Sequence, residues 1–288
     1  MTNKNKLMMW ASIASVLTAS VLILLKTAAF FMTASVAILA SLFDSIQDLM
    51  TSFINFISVR QSVQPPDKEH RFGHGKAQGI GSFIQGFILL ISALFLIYES
   101  ILHLGRHESP THSVWGIGII FITLILTALL TRFQAFVVRQ TGSLSIQADN
   151  AHYNGDLMMN LGVLASLIFS TTFAIGWVDS LFGIGVSLYL LKSSFYILRA
   201  SVAMLMDEEL PRQVQQKIKA QVHILKEVKS IQDLRTRQSG TQMFIQMTLV
   251  LDGNIPLTKA HIIADKAEDL IHEIYPEAEI MIHLEPEK

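Results

Sequence analysis

Ile38-Leu39-Ala40-Ser41-Leu42-Phe43-Asp44-Ser45-Ile46-Gln47-Asp48-Leu49-Met50 is an apolar run broken by two carboxylates. On a helix, positions i and i+4 share one face, one turn apart, so Asp44 and Asp48 point the same way. A second stretch, Ala151-His152-Tyr153-Asn154-Gly155-Asp156-Leu157-Met158, repeats the spacing with His152 and Asp156. Ionisable groups at membrane depth are costly and mark function. Two such pairs on separate apolar helices offer three carboxylates and one imidazole. That donor set suits a tetrahedral divalent ion such as Zn²⁺ and is open to Fe²⁺, Mn²⁺ or Cd²⁺. The competing reading is hydrogen-bonding glue between helices, which Asn or Ser would supply at lower cost. Asp149, three residues before His152, reads as a helix cap or a cation-attracting charge at the cytoplasmic mouth, not as a ligand.

Composition agrees with a membrane setting. Of 288 residues, 51% are hydrophobic and 16% charged, against about 25% charged in soluble proteins. The net charge of −1 gives no reason to expect a nucleic-acid partner. There is no cysteine, so disulfides and thiolate metal sites are excluded and His, Asp and Glu are the available ligands.

Six runs approach the roughly 20 residues that a bilayer requires: 8–30, 33–58, 78–104, 113–131, 144–173 and 177–198. The first has no small-residue cleavage site and its uncharged run ends with Lys26, so it reads as a retained helix. Placing the N-terminus inside puts Lys4, Lys6, Arg60, Lys68, Arg71, Lys76, Arg132, Arg139 and Arg199 in cytoplasmic segments, and Arg106 alone outside. By the positive-inside bias both termini are then cytoplasmic. Beyond this part the charge density rises. The expected domains are 1–206, a six-helix transmembrane domain, and 207–288, a cytoplasmic domain.

The tail reads as αββαβ, a small two-layer α+β unit. A helix starts at Pro211, strands at 229–238 and 242–251 flank Ser239-Gly240, a helix covers 256–274 and a strand 278–284. In the second strand Met243, Ile245, Met247, Leu249 and Leu251 alternate with Phe244, Gln246, Thr248 and Val250.

Between the second and third spans lies Pro65-Pro66-Asp67-Lys68-Glu69-His70-Arg71-Phe72-Gly73-His74-Gly75-Lys76. Asp67, His70 and His74 are either ligands for a second ion or members of an ordinary polar loop. His103, His107 and His112 cluster near the outer side, where a polar loop is the plainer reading. His223 and His272 fall on helices without partners.

These motifs together, over nearly the whole chain, resemble the cation diffusion facilitators, and most closely their bacterial ferrous-iron and zinc efflux branch. The resemblance implies that Asp44, Asp48, His152 and Asp156 form the transport site and Asp67, His70 and His74 a loop site. It implies a homodimer that exchanges divalent cations for protons, with the Asp3His set favouring Zn²⁺ and Cd²⁺ and sometimes Fe²⁺. No prosthetic group is implied; the metal is substrate and, at further sites, a regulatory ion. Lys76 and Asp207 match a charge pair that holds the dimer near the membrane surface. The tail matches a ferredoxin-like, metallochaperone-like domain, with one departure. Relatives build a two-ion site there from four histidines and an acid, whereas Gln232 and Thr248 occupy two of those histidine positions here. His261, His283 and Glu285 remain, either as ligands for one ion or as surface residues of a domain that dimerises without metal.

The expected function is therefore proton-coupled export of a divalent transition metal across a cell inner membrane, amid its lipids. An intramembrane hydrolase would need a general base or nucleophile beside an open metal position, and no His-Glu-x-x-His pair is present. The protein is thus expected not to be an enzyme. A metal sensor or binding protein without turnover, and an importer using the same site, are the remaining alternatives.

Overall fold

The computed structural model describes residues 2–33, 36–103, 114–173 and 178–287. The chain divides into two compact units, Met1–Val202 and Ala203–Lys288, where the sequence suggested a break after residue 206.

The first unit holds six long helices: α1 (Asn3–Thr33), α2 (Val36–Ser62), α3 (Ala77–His103), α4 (Val114–Thr141), α5 (Leu144–Phe173) and α6 (Val178–Leu205). The shortest have 27 residues, which at about 1.5 Å per residue covers about 40 Å. Four of the six are apolar enough to cross a membrane over the described residues: those running Asn3–Met32, Ala77–Leu102, Ile120–Thr141 and Ser180–Leu205. The expectation of six apolar spans is thus met by six helices of spanning length and, among the described residues, four of spanning hydropathy. The other two, α2 and α5, are the ones that carry Asp44, Asp48, Asp149, His152 and Asp156.

The burial pattern of this unit is inverted relative to a water-soluble bundle. Trp10, Leu24, Phe31, Phe43, Phe95 and Phe121 are exposed, while Ser15, Ser52, Asn55, Ser82, Gln134 and Ser145 are buried. Large apolar side chains facing outward suit a lipid solvent. Inside, small residues let helices approach, and Ser hydroxyls return hydrogen bonds to carbonyls one turn back, as Ser58 does to Ile54 and Ser201 to Ile197. Close approach is most severe at Gly81 of α3, where a Cβ would lie 1.8 Å from Ser58 Oγ of α2, and at Gly183 of α6, where it would lie 2.2 Å from Ser100 Oγ of α3.

The second unit has the order α7 (Arg212–Val222), β1 (Ser230–Ser239), β2 (Gln242–Leu251), α8 (Leu257–Ile274) and β3 (Glu279–Pro286), the αββαβ order expected. The sheet order is β1-β2-β3, with β1 antiparallel and β3 parallel to β2. The β1–β2 hairpin turns at Gly240, whose φ of +62 is one that glycine adopts without strain. Ile245, Met247, Leu249 and Leu251 are buried against Ile218, Val222, Ile263, Ala267 and Ile271 of the two helices. Phe244, on the opposite face of β2, is also buried, with the Arg237 guanidinium 4.4 Å above its ring. Asp233 sits at φ +46 where the β1 register shifts between Gln232 and Arg235, a bulge.

Candidate metal centre

The helix bearing His152 is set by a tight reversal. Gly142 closes α4 at φ +67, its N–H bonded to the Val138 carbonyl. Ser143 follows as N-cap of α5, its Oγ accepting from the Ile146 N–H at 3.4 Å and donating to Gln78 Oε1 at 2.7 Å. This start places Asp149, His152 and Asp156 on the side of α5 that meets α2.

His152 Nε2 lies 3.0 Å from Asp48 Oδ1 and 3.7 Å from Asp156 Oδ2. All three residues contribute ligand atoms within 4.8 Å of one another. Metal–donor bonds of about 2.0–2.2 Å in a tetrahedron put donor atoms about 3.3–3.6 Å apart, so the two measured separations bracket what a bound Zn²⁺ needs. Asp156 Oδ2 is a buried oxygen without a hydrogen-bond partner. A buried acceptor left unpaired is costly unless something else satisfies it, and a cation would. Asp44, one turn away on α2, is exposed and lies outside the three-residue group. The structure thus brings together three of the four expected ligands.

Two charged residues in this region are placed where the sequence did not suggest. Asp149 is neither a cap nor a charge at the mouth of the helix: it is 1% exposed, and Ser143 is the cap. Its Oδ2 accepts from Ser15 Oγ at 2.6 Å, Gln134 Nε2 at 2.7 Å and Asn55 Nδ2 at 3.0 Å. Asn55 also accepts from Ser145 Oγ, and the buried Tyr153 hydroxyl meets Ser52 Oγ at 2.8 Å. One carboxylate therefore gathers donors from α1, α2 and α4. Lys26 does not end its helix; α1 continues to Thr33, and the lysine is buried within it.

In the loop before α3, Asp67 Oδ1 is 3.3 Å from His70 Nδ1 and Asp67 Oδ2 is 3.2 Å from His74 Nε2. The two rings lie 4.6 Å apart, and the three residues form a second ion-sized group. Asp67 Oδ1 also accepts the backbone N–H groups of His70 at 2.6 Å and Glu69 at 2.9 Å. The His70 amide chiefly, against a smaller effect of desolvation, holds the Asp67 carboxyl below the usual carboxylate range.

The tail residues are not gathered in the same way. His261, near the start of α8, has Nε2 3.8 Å from Asp265. His283 and Glu285 lie on β3, and they form no ion-sized group with His261 among the described residues. The sheet register does align Gln232 of β1, Thr248 of β2 and His283 of β3 in a single row. Asp207, at φ +53, accepts from Arg237 Nη1 at 3.2 Å within the tail unit, and Lys76 belongs to the other unit. Among the remaining histidines, His272 Nε2 faces Glu268 at 3.5 Å and His223 caps α7. The His103 side chain, His107 and His112 lie outside the described residues.

Long helices with lipid-facing apolar surfaces and an imidazole–carboxylate cluster between two of them define a metal-handling membrane protein. Residues 12–206 match the cation efflux transmembrane domain and residues 210–287 the cytoplasmic domain of cation efflux proteins, so the chain belongs to the cation efflux, or cation diffusion facilitator, family. The cation-efflux pump FieF of Klebsiella pneumoniae is 40% identical over 278 residues, 96% of this chain and 92% of that protein. FieF of Salmonella choleraesuis is 41% identical over the same shares. A solved chain of CzrB, described as a zinc transporter, in its zinc form, is 34% identical and covers 28% of this chain and 93% of that one, with a TM-score of 0.27.

Proposed function

We propose that this cation efflux protein exports Zn²⁺, and also Fe²⁺ or Cd²⁺, from the cytoplasm in exchange for protons, as a homodimer in a cell inner membrane. The observation that carries this reading is the trio Asp48, His152 and Asp156, with donor separations suited to a tetrahedral ion and one buried oxygen left unpaired. Asp44 completes the set as a fourth ligand after a small movement of α2. The three carboxyls must be ionised and the imidazole neutral to coordinate, so the arriving ion displaces any proton held at a coordinating atom. Alternating exposure of the site to the two sides then couples metal leaving one way to protons leaving the other.

On this reading all six helices span the membrane, and the Lys/Arg distribution puts both termini in the cytoplasm. Asp67, His70 and His74 hold a second ion at the cytoplasmic surface. The tail is a ferredoxin-like dimerisation unit, with Lys76 and Asp207 as a charge pair near the membrane. His261, His283 and Glu285 form at most a reduced ion site there.

The test is metal uptake into proteoliposomes loaded with a zinc dye under an imposed pH gradient, for wild type and Asp156→Ala. Gradient-dependent flux that disappears in the variant is the expected result. Metal binding without flux in the wild type would replace the transporter with a sensor.

A further inference from the structure

Lys26 sits within α1 at 8% exposure. Its Nζ donates to the Ser41 carbonyl at 3.0 Å and to Ser45 Oγ at 2.7 Å, both on α2. Both acceptors are neutral, and two neutral oxygens are poor compensation for an ammonium at membrane depth. Ser45 lies directly after Asp44 and three residues before Asp48. The amine is thus bound to the turn of α2 that carries Asp44 and Asp48, and Asp48 meets His152 of the proposed ion site at 3.0 Å. The lysine is therefore close enough to feel the site but bonds to the helix beside it, leaving the carboxylate oxygens for another cation.

An empty site of this composition gathers negative charge in a low-dielectric interior. A positive charge on the neighbouring helix offsets that charge without occupying the coordination positions. Once a divalent ion enters, the same ammonium repels it. A transport site must bind firmly enough to capture and weakly enough to release, and a tethered like charge works in the second direction. We propose that the Lys26 ammonium is a built-in counter-cation of the Asp44, Asp48 and Asp156 carboxylates, balancing the empty site and speeding release of the transported ion. This rests on the assignment of those residues as the transport site.

The alternative role is mechanical, a hydrogen-bonded tie between α1 and α2, and the two roles differ in sign. Loss of a tie loosens the site and weakens ion binding. Loss of a repelling charge tightens it. The experiment is a Zn²⁺ titration of the full-length protein in nanodiscs, competed with a dye. Site-specific binding is taken as the difference between each protein with and without Asp156→Ala. Lys26→Gln keeps a donor for Ser45 and loses the charge, Lys26→Met loses both, and Lys26→Arg keeps the charge.

For a divalent ion at an effective dielectric constant of about 20, removing one charge within about 20 Å tightens binding by about tenfold or more. We expect that gain in Lys26→Gln, with Lys26→Arg close to wild type, and in vesicles a lower KM with slower maximal flux for Lys26→Gln. Equal or weaker binding in both neutral variants overturns the proposal, as does failure of both to fold while Lys26→Arg folds. If Asp156→Ala leaves wild-type binding unchanged, the site assignment fails instead.

Discussion

Asn55 Nδ2 donates to Asp149 Oδ2 at 3.0 Å, joining α2 to α5 close to the His152 side of the metal centre. Ser15 and Gln134 donate to the same oxygen, so the bond is one strand of a buried knot that holds α1, α2 and α4 around α5. Replacing the acceptor by a hydrocarbon strands Asn55 Nδ2, while Ser15 Oγ can turn to the Ala11 carbonyl and Gln134 Nε2 to Ser15 Oγ, and a buried donor without a partner costs about 1–3 kcal/mol. Asp149→Leu is expected to lower stability by at least about 1 kcal/mol, with Asp149→Asn recovering part of the loss. Heating followed by fluorescence-detected size exclusion checks the ranking. An unshifted midpoint for Asp149→Leu would remove the knot from the account.

The contact between Gly81 and Ser58 leaves no room for a methyl group, since a Cβ would sit 1.8 Å from Ser58 Oγ and 2.5 Å from its Cβ. Overpacking of this kind costs about 1–3 kcal/mol. Gly81→Ala is expected to destabilise the helical unit, and Ser58→Gly in the same molecule to restore most of the loss, because it removes both offending atoms. The double-mutant cycle in detergent should give a coupling of about 1 kcal/mol or more; additive losses would show that the helices relax apart.

The depressed carboxyl of Asp67 has a definite sign. A group whose folded value lies below its unfolded one stabilises its surroundings fully above the unfolded value, about 3.9 for Asp, and loses that effect as pH falls through the folded value. The turn that presents His70 and His74 should therefore keep its order from pH 7 down to pH 5, as far as Asp67 is concerned. Amide hydrogen exchange at Glu69 and His70 should be faster in Asp67→Asn than in wild type at pH 7. Exchange at equal rates in the two proteins would mean that the N–H donors bind something else.

The row Gln232–Thr248–His283 crosses three adjacent strands, and neighbouring strands lie about 4.8 Å apart. Imidazoles at all three places would converge on one ion. Gln232→His with Thr248→His in the full chain is expected to add a zinc-dependent rise in tail stability, of about 2.7 kcal/mol when free ion reaches about a hundred times its Kd. A melting midpoint indifferent to zinc in the double variant would show that the row faces away from any fourth donor.

Much of this arrangement is legible in the amino-acid sequence. Two ligand pairs at helical spacing announce α2 and α5, and alternation in Met243–Leu251 together with Ser239-Gly240 gives the tail hairpin nearly residue for residue. What periodicity does not reveal is the neighbour across the gap. Asp149 shares a face with His152, but its burial depends on Ser15, Asn55 and Gln134 arriving from three other helices. Lys26 reads as the end of an apolar run because a lysine usually marks the interface, and only Ser41 and Ser45 on α2 explain why the helix continues past it. Asp44 shows the converse. Its spacing from Asp48 put both on one face, yet a shared face does not guarantee a shared ion, since one turn of helix separates residues by about 5.4 Å.

The polar residues that make α2 and α5 useful also keep both below the hydropathy of their four companions. A nascent segment partitions into lipid according to its own transfer free energy, and each Asp near the centre adds about 2.5–3.5 kcal/mol against it. On the six-span reading, α2 and α5 cannot be expected to insert as solitary segments during synthesis. Each has an apolar partner next in sequence, α1 and α4, with which it packs. Biogenesis is then pairwise, as hairpins that hide the acids from lipid before the bundle closes, and glycosylation mapping of truncated chains should find α2 retained only when α1 precedes it. Whatever selectivity the ion site confers, its first cost falls at the translocon.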